Sequence, residues 1–182
     1  MPLLSEAQNL VEKFFPSSYV VVDIETTGLN PIRNEIIELS ALKVQDNTIV
    51  DSFTTLIKPN EKIPTFITSL TGISNEMVKN AQPVENILAD FCNFVGNSVI
   101  LGHNVSFDMR FIKENCKRHL DKEFANSTID TLKISRKLLP NIKNHKLSTL
   151  ADHYGISSEG HHRGLVDCEI TYNVHQQLRQ EI

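Results

Sequence analysis

Two carboxylates one residue apart end an apolar run. The run is Tyr19-Val20-Val21-Val22, and the pair lies in Asp23-Ile24-Glu25-Thr26-Thr27-Gly28. Side chains on a strand alternate faces, so Asp23 and Glu25 point the same way. Val20 to Val22 are apolar on both faces, which predicts a central strand covered on both sides. Two like charges on one face of such a strand repel and lose hydration, unless a cation sits between them. Hard oxygen donors select Mg²⁺ or Mn²⁺. The competing reading is an exposed strand end near a turn.

The elements around this pair follow from periodicity and turn residues. Helical spacing covers Leu3–Phe15, and Pro16 ends it. Tyr19–Glu25, Ile36–Val44 and Ile49–Ile57 read as three strands, with Gln45-Asp46-Asn47-Thr48 as the turn between the last two. Pro59 and Pro64 bound a loop, and Ser74 caps a short helix. Pro83 opens the next helix, whose stripe is Val84, Ile87, Leu88, Phe91, Phe94 and Val95. Gly96 stops it. Ser98–Leu101 is a fourth strand, and helix follows over Val105–His119. Thr128–Thr131 is a fifth strand, leading into helix to Leu139. Leu147–Tyr154 and Gly164–Ile182 are the last two helices. A three-strand meander followed by alternating helix and strand predicts an α/β sandwich around a mixed sheet.

Bulk properties narrow the function classes. A length of 182 residues suits one domain with a full core. No apolar stretch approaches a membrane span, and the N-terminus lacks the form of a secretory signal. Cys92, Cys116 and Cys168 are an odd number with no close spacing, which suits a reduced, cytoplasmic chain. The net charge of −4 argues against a strongly basic nucleic-acid binder. Its distribution argues less, because Arg110–Lys146 holds ten Lys/Arg against four Asp/Glu. Such a segment either holds a phosphate backbone beside an acidic site or is a solvated helix face.

Two further acids stand out. Asp108 lies in Leu101-Gly102-His103-Asn104-Val105-Ser106-Phe107-Asp108, and Asp167 in His161-His162-Arg163-Gly164-Leu165-Val166-Asp167. Acids near helix N-termini complement the helix dipole, which explains one such residue. It does not explain why both follow histidine and glycine.

Asp23-Ile24-Glu25-Thr26-Thr27-Gly28, His103-Asn104-x-x-Phe107-Asp108 and His162-x-x-x-x-Asp167 together resemble the three motifs of the DEDDh, or DnaQ-like, 3′–5′ exonucleases. The likeness runs from about Tyr19 to His175 and is nearest to the polymerase III epsilon subunit and PolC-type exonuclease domains. Leu70-Thr71-Gly72-Ile73 and Leu147-Ser148-Thr149-Leu150-Ala151 are also similar to family sequence. The resemblance implies a ribonuclease-H-like α/β fold, a five-stranded mixed sheet flanked by helices. It implies one exonuclease domain over 1–182, with 1–17 a helical extension and 18–182 the catalytic core.

The resemblance also implies roles. Asp23, Glu25, Asp108 and Asp167 match the four metal-site acids, and His162 matches the general base. Two divalent ions, Mg²⁺ or Mn²⁺, would flank the scissile phosphate about 4 Å apart. Asp23 would bridge them, Glu25 and Asp167 would complete the site of the attacking water, and Asp108 would support the second metal. Imidazole, with a pKa of about 6.5, accepts a proton near neutrality. Thr26, Thr27, Gly28 and Leu29 are expected at the terminal nucleotide, with His103, Asn104 and Phe107 lining the rest of the cleft. Phe107 stands equally as a stacking platform or as a core anchor. His161 has the wrong offset and is read as a loop residue.

The partner implied is a single-stranded or frayed 3′ end, DNA favoured over RNA, with no membrane. Epsilon subunits often carry a further polymerase-binding segment, and Gln176-Gln177-Leu178 does not continue into a sliding-clamp motif. That departure weighs against stable polymerase association, and a polymerase subunit stays a candidate partner. An RNA-trimming exoribonuclease and a non-catalytic nucleic-acid-binding module share the fold and are the alternatives. An aspartyl phosphatase needs an aspartate at Glu25, and a zinc site from His153, His161, His162 and Cys168 fits no compact ligand pattern.

Overall fold

The structure is a computed structural model and describes residues 14–182. The helix expected over Leu3–Phe15 lies outside the described residues, apart from its last two. Five strands form one sheet: β1 (Tyr19–Thr26), β2 (Ile36–Gln45), β3 (Thr48–Leu56), β4 (Ile100–Gly102) and β5 (Thr128–Asp130). Their order is β3-β2-β1-β4-β5. β1, β2 and β3 pair antiparallel, while β4 and β5 run parallel to β1. This is the mixed, ribonuclease-H-like sheet. The β2–β3 turn is two residues, Asp46 and Asn47, both at positive φ (50° and 59°). That geometry matches the twist of the strands it joins, and Asp and Asn tolerate it.

Seven helices are described: α1 (Thr65–Thr71), α2 (Asn75–Val78), α3 (Val84–Val95), α4 (Ser106–Leu120), α5 (Thr131–Leu138), α6 (Leu147–Tyr154) and α7 (Gly164–Arg179). α1 was not expected. Its sequence, Thr-Phe-Ile-Thr-Ser-Leu-Thr, is poor helix-forming material. Burial of Ile67 and Thr71, with Gly72 in the left-handed region (φ 72°), overrides that weakness. α2 opens as expected, with the Ser74 hydroxyl accepting the Met77 N–H at 3.3 Å. The last helix stops at Arg179, three residues earlier than expected, and the fourth strand pairs over Ile100–Gly102 rather than Ser98–Leu101.

The sheet has two apolar faces. Val20, Val22, Ile24, Leu39 and Ala41 meet Leu88 and Phe91 of α3 and Phe111 and Ile112 of α4. Tyr19, Val21, Leu42 and Val44 meet Ile134 of α5, Leu150 of α6 and Val174 and Leu178 of α7. β1 is therefore the central, doubly covered strand that its valine run predicts. Alternation then decides the rest. Asp23 and Glu25 have the parity of Tyr19 and Val21, so they face the side that carries α7.

Candidate active site

Three elements bring four acids together at the C-terminal end of β1. α7 lies against β1 and β2 and delivers Asp167 from its first turn. One oxygen from each of Asp23, Glu25 and Asp167 lies within 4.8 Å of the others. Asp108 comes from the first turn of α4, on the other side of the sheet. Pairing of β1 with β4 stops at Val21 and Leu101, leaving the Ile24 N–H without a strand partner on that side. Asp108 Oδ1 accepts it at 3.1 Å. Asp108 lies outside the close trio, and its charge still bears on Asp23.

The electrostatics are those of acids held against their preference. Asp23 is pushed well above the carboxylate range, first by lost hydration and then by Asp108, Asp167, Glu25 and Glu38. Glu25 is pushed up to about 8, again by burial first and then by Asp167, Glu38 and Asp108. Asp108 reaches about 7 through burial, opposed by N–H donors from its own backbone and from Ile24. An all-carboxylate set of this kind fits a hard divalent cation, which removes the repulsion and replaces the lost hydration.

The loop before α7 adds two imidazoles. Its Gly160 and His162 both have positive φ (81° and 73°). The His162 N–H donates to Asp167 Oδ2 at 3.2 Å. His161, read from sequence as a bystander in the loop, instead donates Nδ1–H to Asp167 Oδ1. The turn at His162 swings its neighbour back over the acid, which a count of residues does not reveal. The two rings lie 4.0 Å apart and tilted by 31°. The His162 pKa is lowered, by desolvation first and then by His161, with Asp167 opposing. A neutral imidazole beside Asp167 is a proton acceptor.

Two contributors were not singled out in the sequence. Glu38 sits opposite Glu25 in the β1–β2 register and is 2% exposed. It accepts from Arg163 and from the Gly164 N–H. The available signal was an acid inside Ile36-Ile37-Glu38-Leu39, an otherwise apolar strand. Asp130 at the end of β5 accepts the Asn104 N–H at 2.9 Å and the Leu132 N–H at 3.0 Å. It thereby fixes the loop after β4 and caps α5 at once.

The residues expected at the nucleotide fall around this end of the sheet. The Thr26 hydroxyl donates to the Gly28 carbonyl at 2.7 Å, and the Thr27 hydroxyl accepts the Glu35 N–H at 2.9 Å. Both threonines therefore brace the β1–β2 loop. A Cβ at Gly28 would meet the Asn34 side chain at 2.7 Å, so glycine is needed there for packing. Leu29 is 80% exposed on the same loop. His103 Nδ1 lies 2.9 Å from the Thr131 hydroxyl, and Asn104 takes a left-handed turn (φ 59°). Phe107 packs on the core beside Phe111, ring centroids 5.2 Å apart, and keeps part of its ring exposed.

The fold agrees with what comparison finds. The family model described as "Exonuclease" matches residues 20–175, and the chain belongs to that family, whose DnaQ-like members the three motifs resemble. Among relatives, it is 34% identical over 171 residues to the DNA polymerase III subunit epsilon of Aquifex aeolicus, covering 94% of this chain and 85% of that protein. It is 43% identical over 163 residues to the DNA polymerase III PolC-type of Clostridium perfringens, covering 90% of this chain and 11% of that protein. Exonuclease X in complex with 5′ overhanging duplex DNA is similar in structure (TM-score 0.72, 26% identity, 88% of this chain and 90% of that one). E. coli Exonuclease I in complex with a dT13 oligonucleotide shares the fold (TM-score 0.82, 19% identity, 91% of this chain and 41% of that one). No helix among the described residues is long and apolar enough to cross a membrane.

Proposed function

We propose that the chain hydrolyses DNA stepwise from a 3′ end, releasing nucleoside 5′-monophosphates, as a DEDDh exonuclease of the polymerase III epsilon kind with a proofreading or repair role. The observation that carries this reading is the meeting of Asp23, Glu25 and Asp167 within 4.8 Å, beside His162. The family membership and the DNA named with Exonuclease X support the reaction class and the substrate.

Asp23, Glu25 and Asp167, with Asp108 close by, would hold two divalent ions, Mg²⁺ or Mn²⁺. When bound, such ions supply Lewis-acid stabilisation of the attacking and leaving oxygens. The chain's own groups do the rest. His162, kept neutral by desolvation and by His161, takes the proton of the attacking water as its oxygen bonds to phosphorus. The bond from phosphorus to the 3′ oxygen breaks, and that oxygen takes a proton from solvent. Leu29 and the exposed part of Phe107 meet the terminal bases, while His103 and Asn104 shape the cleft wall. Asp130 and Thr131 hold those two in place.

The test is a 3′-labelled single-stranded DNA oligonucleotide with Mg²⁺ or Mn²⁺, run beside matched RNA and beside duplexes with paired and mispaired 3′ ends. Stepwise loss from the 3′ end, stopped by EDTA and faster on DNA, is expected. An intact 3′ terminus after long incubation with metal would refute the reading.

A further inference from the structure

Glu38 is a carboxylate that the hydrolysis does not require as a ligand, yet it is almost wholly buried. Such a charge is tolerated only where hydrogen-bond partners replace its water. Both partners come from the chain just beyond His162. The Arg163 guanidinium donates to Oε1 at 3.0 Å, and the Gly164 N–H donates to Oε2 at 2.9 Å. Arg163 is the residue before α7, and Gly164 is its first. Glu38 therefore ties the sheet to the junction between the histidine loop and the helix.

That junction carries strain and lacks an ordinary cap. His162 sits at φ 73°, a left-handed conformation that strains a residue bearing a side chain. α7 has no side-chain cap of its own at Arg163. Glu38 takes the first helical N–H in place of a cap, and its charge suits the positive end of the helix. His162 is thus held from two directions, by Asp167 through its own N–H and by Glu38 through the next two residues.

We propose that Glu38 is a positioning residue, anchoring Arg163 and Gly164 so that the His162 imidazole stays beside Asp167 for proton transfer. This rests on the reading of His162 as the general base. Displacing a catalytic group by about 1 Å costs about 10²-fold in rate, which sets the scale of the effect.

Wild type, Glu38→Gln, Glu38→Ala and Arg163→Ala are compared in three measurements. These are kcat and KM on labelled single-stranded DNA with Mg²⁺, Mn²⁺ affinity without DNA, and amide hydrogen exchange of residues 158–164 in EDTA. Glu38→Ala is expected to lower kcat by about 10–100-fold, with KM and Mn²⁺ affinity within about threefold, and to speed exchange at Gly164. Glu38→Gln keeps an oxygen that accepts the Gly164 N–H and is expected to recover most of that loss. Arg163→Ala removes one of the two donors and is expected to lose about 3–10-fold in kcat. Should Glu38→Ala not fold, the other two variants carry the same comparison. The proposal is overturned by a kcat within about twofold of wild type in Glu38→Ala or, where that variant does not fold, in Arg163→Ala. Equal losses in the alanine and glutamine variants overturn it too. So does a loss shared equally by kcat, KM and Mn²⁺ affinity, which marks general disorder. If wild type leaves DNA intact, the hydrolysis reading fails by itself. Exchange at Gly164 then decides the anchor, and an unchanged rate in Glu38→Ala overturns it.

Discussion

The two halves of β1 share one strand and opposite duties. From Tyr19 to Val22 every side chain is apolar or aromatic and at most 2% exposed. From Asp23 to Thr26 the α7-facing positions become acids, while Ile24 keeps the other face in the core at 5% exposure. The first half gains free energy by burial, and the second stores repulsion. The difference teaches that the site does not stabilise its own geometry. Carboxylates that would separate in a mobile chain stay together because the apolar half and both helix layers fix the strand that bears them.

Substitutions on the two halves must therefore differ in kind. Asp167→Ala removes a member of the close trio. Activity should fall by about 10⁴-fold or more, since several kcal/mol of charge stabilisation disappears with it. Metal affinity, read by calorimetry, should weaken, while the melting temperature in EDTA should hold or rise because a like charge is gone. His162→Ala should slow hydrolysis by about 10²–10⁴-fold with metal affinity retained. A change of only a few-fold would point to His161, which also touches Asp167, as the acceptor. Phe91→Ala, in the core that braces the strand, should show the reverse pattern. It should lower unfolding free energy in urea by about 3–5 kcal/mol and leave turnover per folded molecule unchanged. Loss of metal affinity in that variant would show that the two halves are not separable.

The apolar half was legible in the sequence, and the acidic half only partly so. Val20–Val22 announced a covered strand because burial on both faces leaves no polar position to hide the pattern. Asp23 and Glu25 followed from parity alone. Asp108 and Asp167 needed the motif, because the contacts that unite them with β1 span 84 and more residues and no local rule encodes them. Glu38 was missed because a buried acid inside a strand looks like an isolated exception until register places it across from Glu25. The role of His161 depends on one left-handed residue, and α1 on tertiary burial that overrides a weak propensity. Neither leaves a periodic trace.

Acidity gives a subtler way to part the halves. In metal-free protein Glu25 and Asp108 titrate at about 8 and about 7 instead of near 4. The folded state therefore binds more protons than the unfolded chain between these limits. Their contribution to stability is full below about pH 4 and is lost as pH rises through about 7 to 8. Melting in EDTA should fall from pH 5 to pH 8.5, and Mg²⁺ should raise it more at pH 8.5 than at pH 5. An equal Mg²⁺ effect at both would mean that the acids do not hold the ion.

The smallest expected effect lies where the acidic half meets α7. A Cβ on Gly164 would approach the Ser40 hydroxyl to 2.6 Å and its Cβ to 2.9 Å. Ser40 pairs with Asp23 across the strands and is tied to the Thr54 hydroxyl at 2.9 Å, so it has little room to yield. Gly164→Ala should therefore destabilise the fold by about 1–3 kcal/mol through overpacking. The same push lifts the start of α7, and Asp167 with it, away from Asp23. The double variant with Ser40→Gly removes the obstructing side chain. It should recover most of both the stability and the metal affinity, a coupling that a double-mutant cycle measures directly. Additive losses would mean that the close approach of α7 to β2 is not what sets the distance between Asp167 and the strand acids.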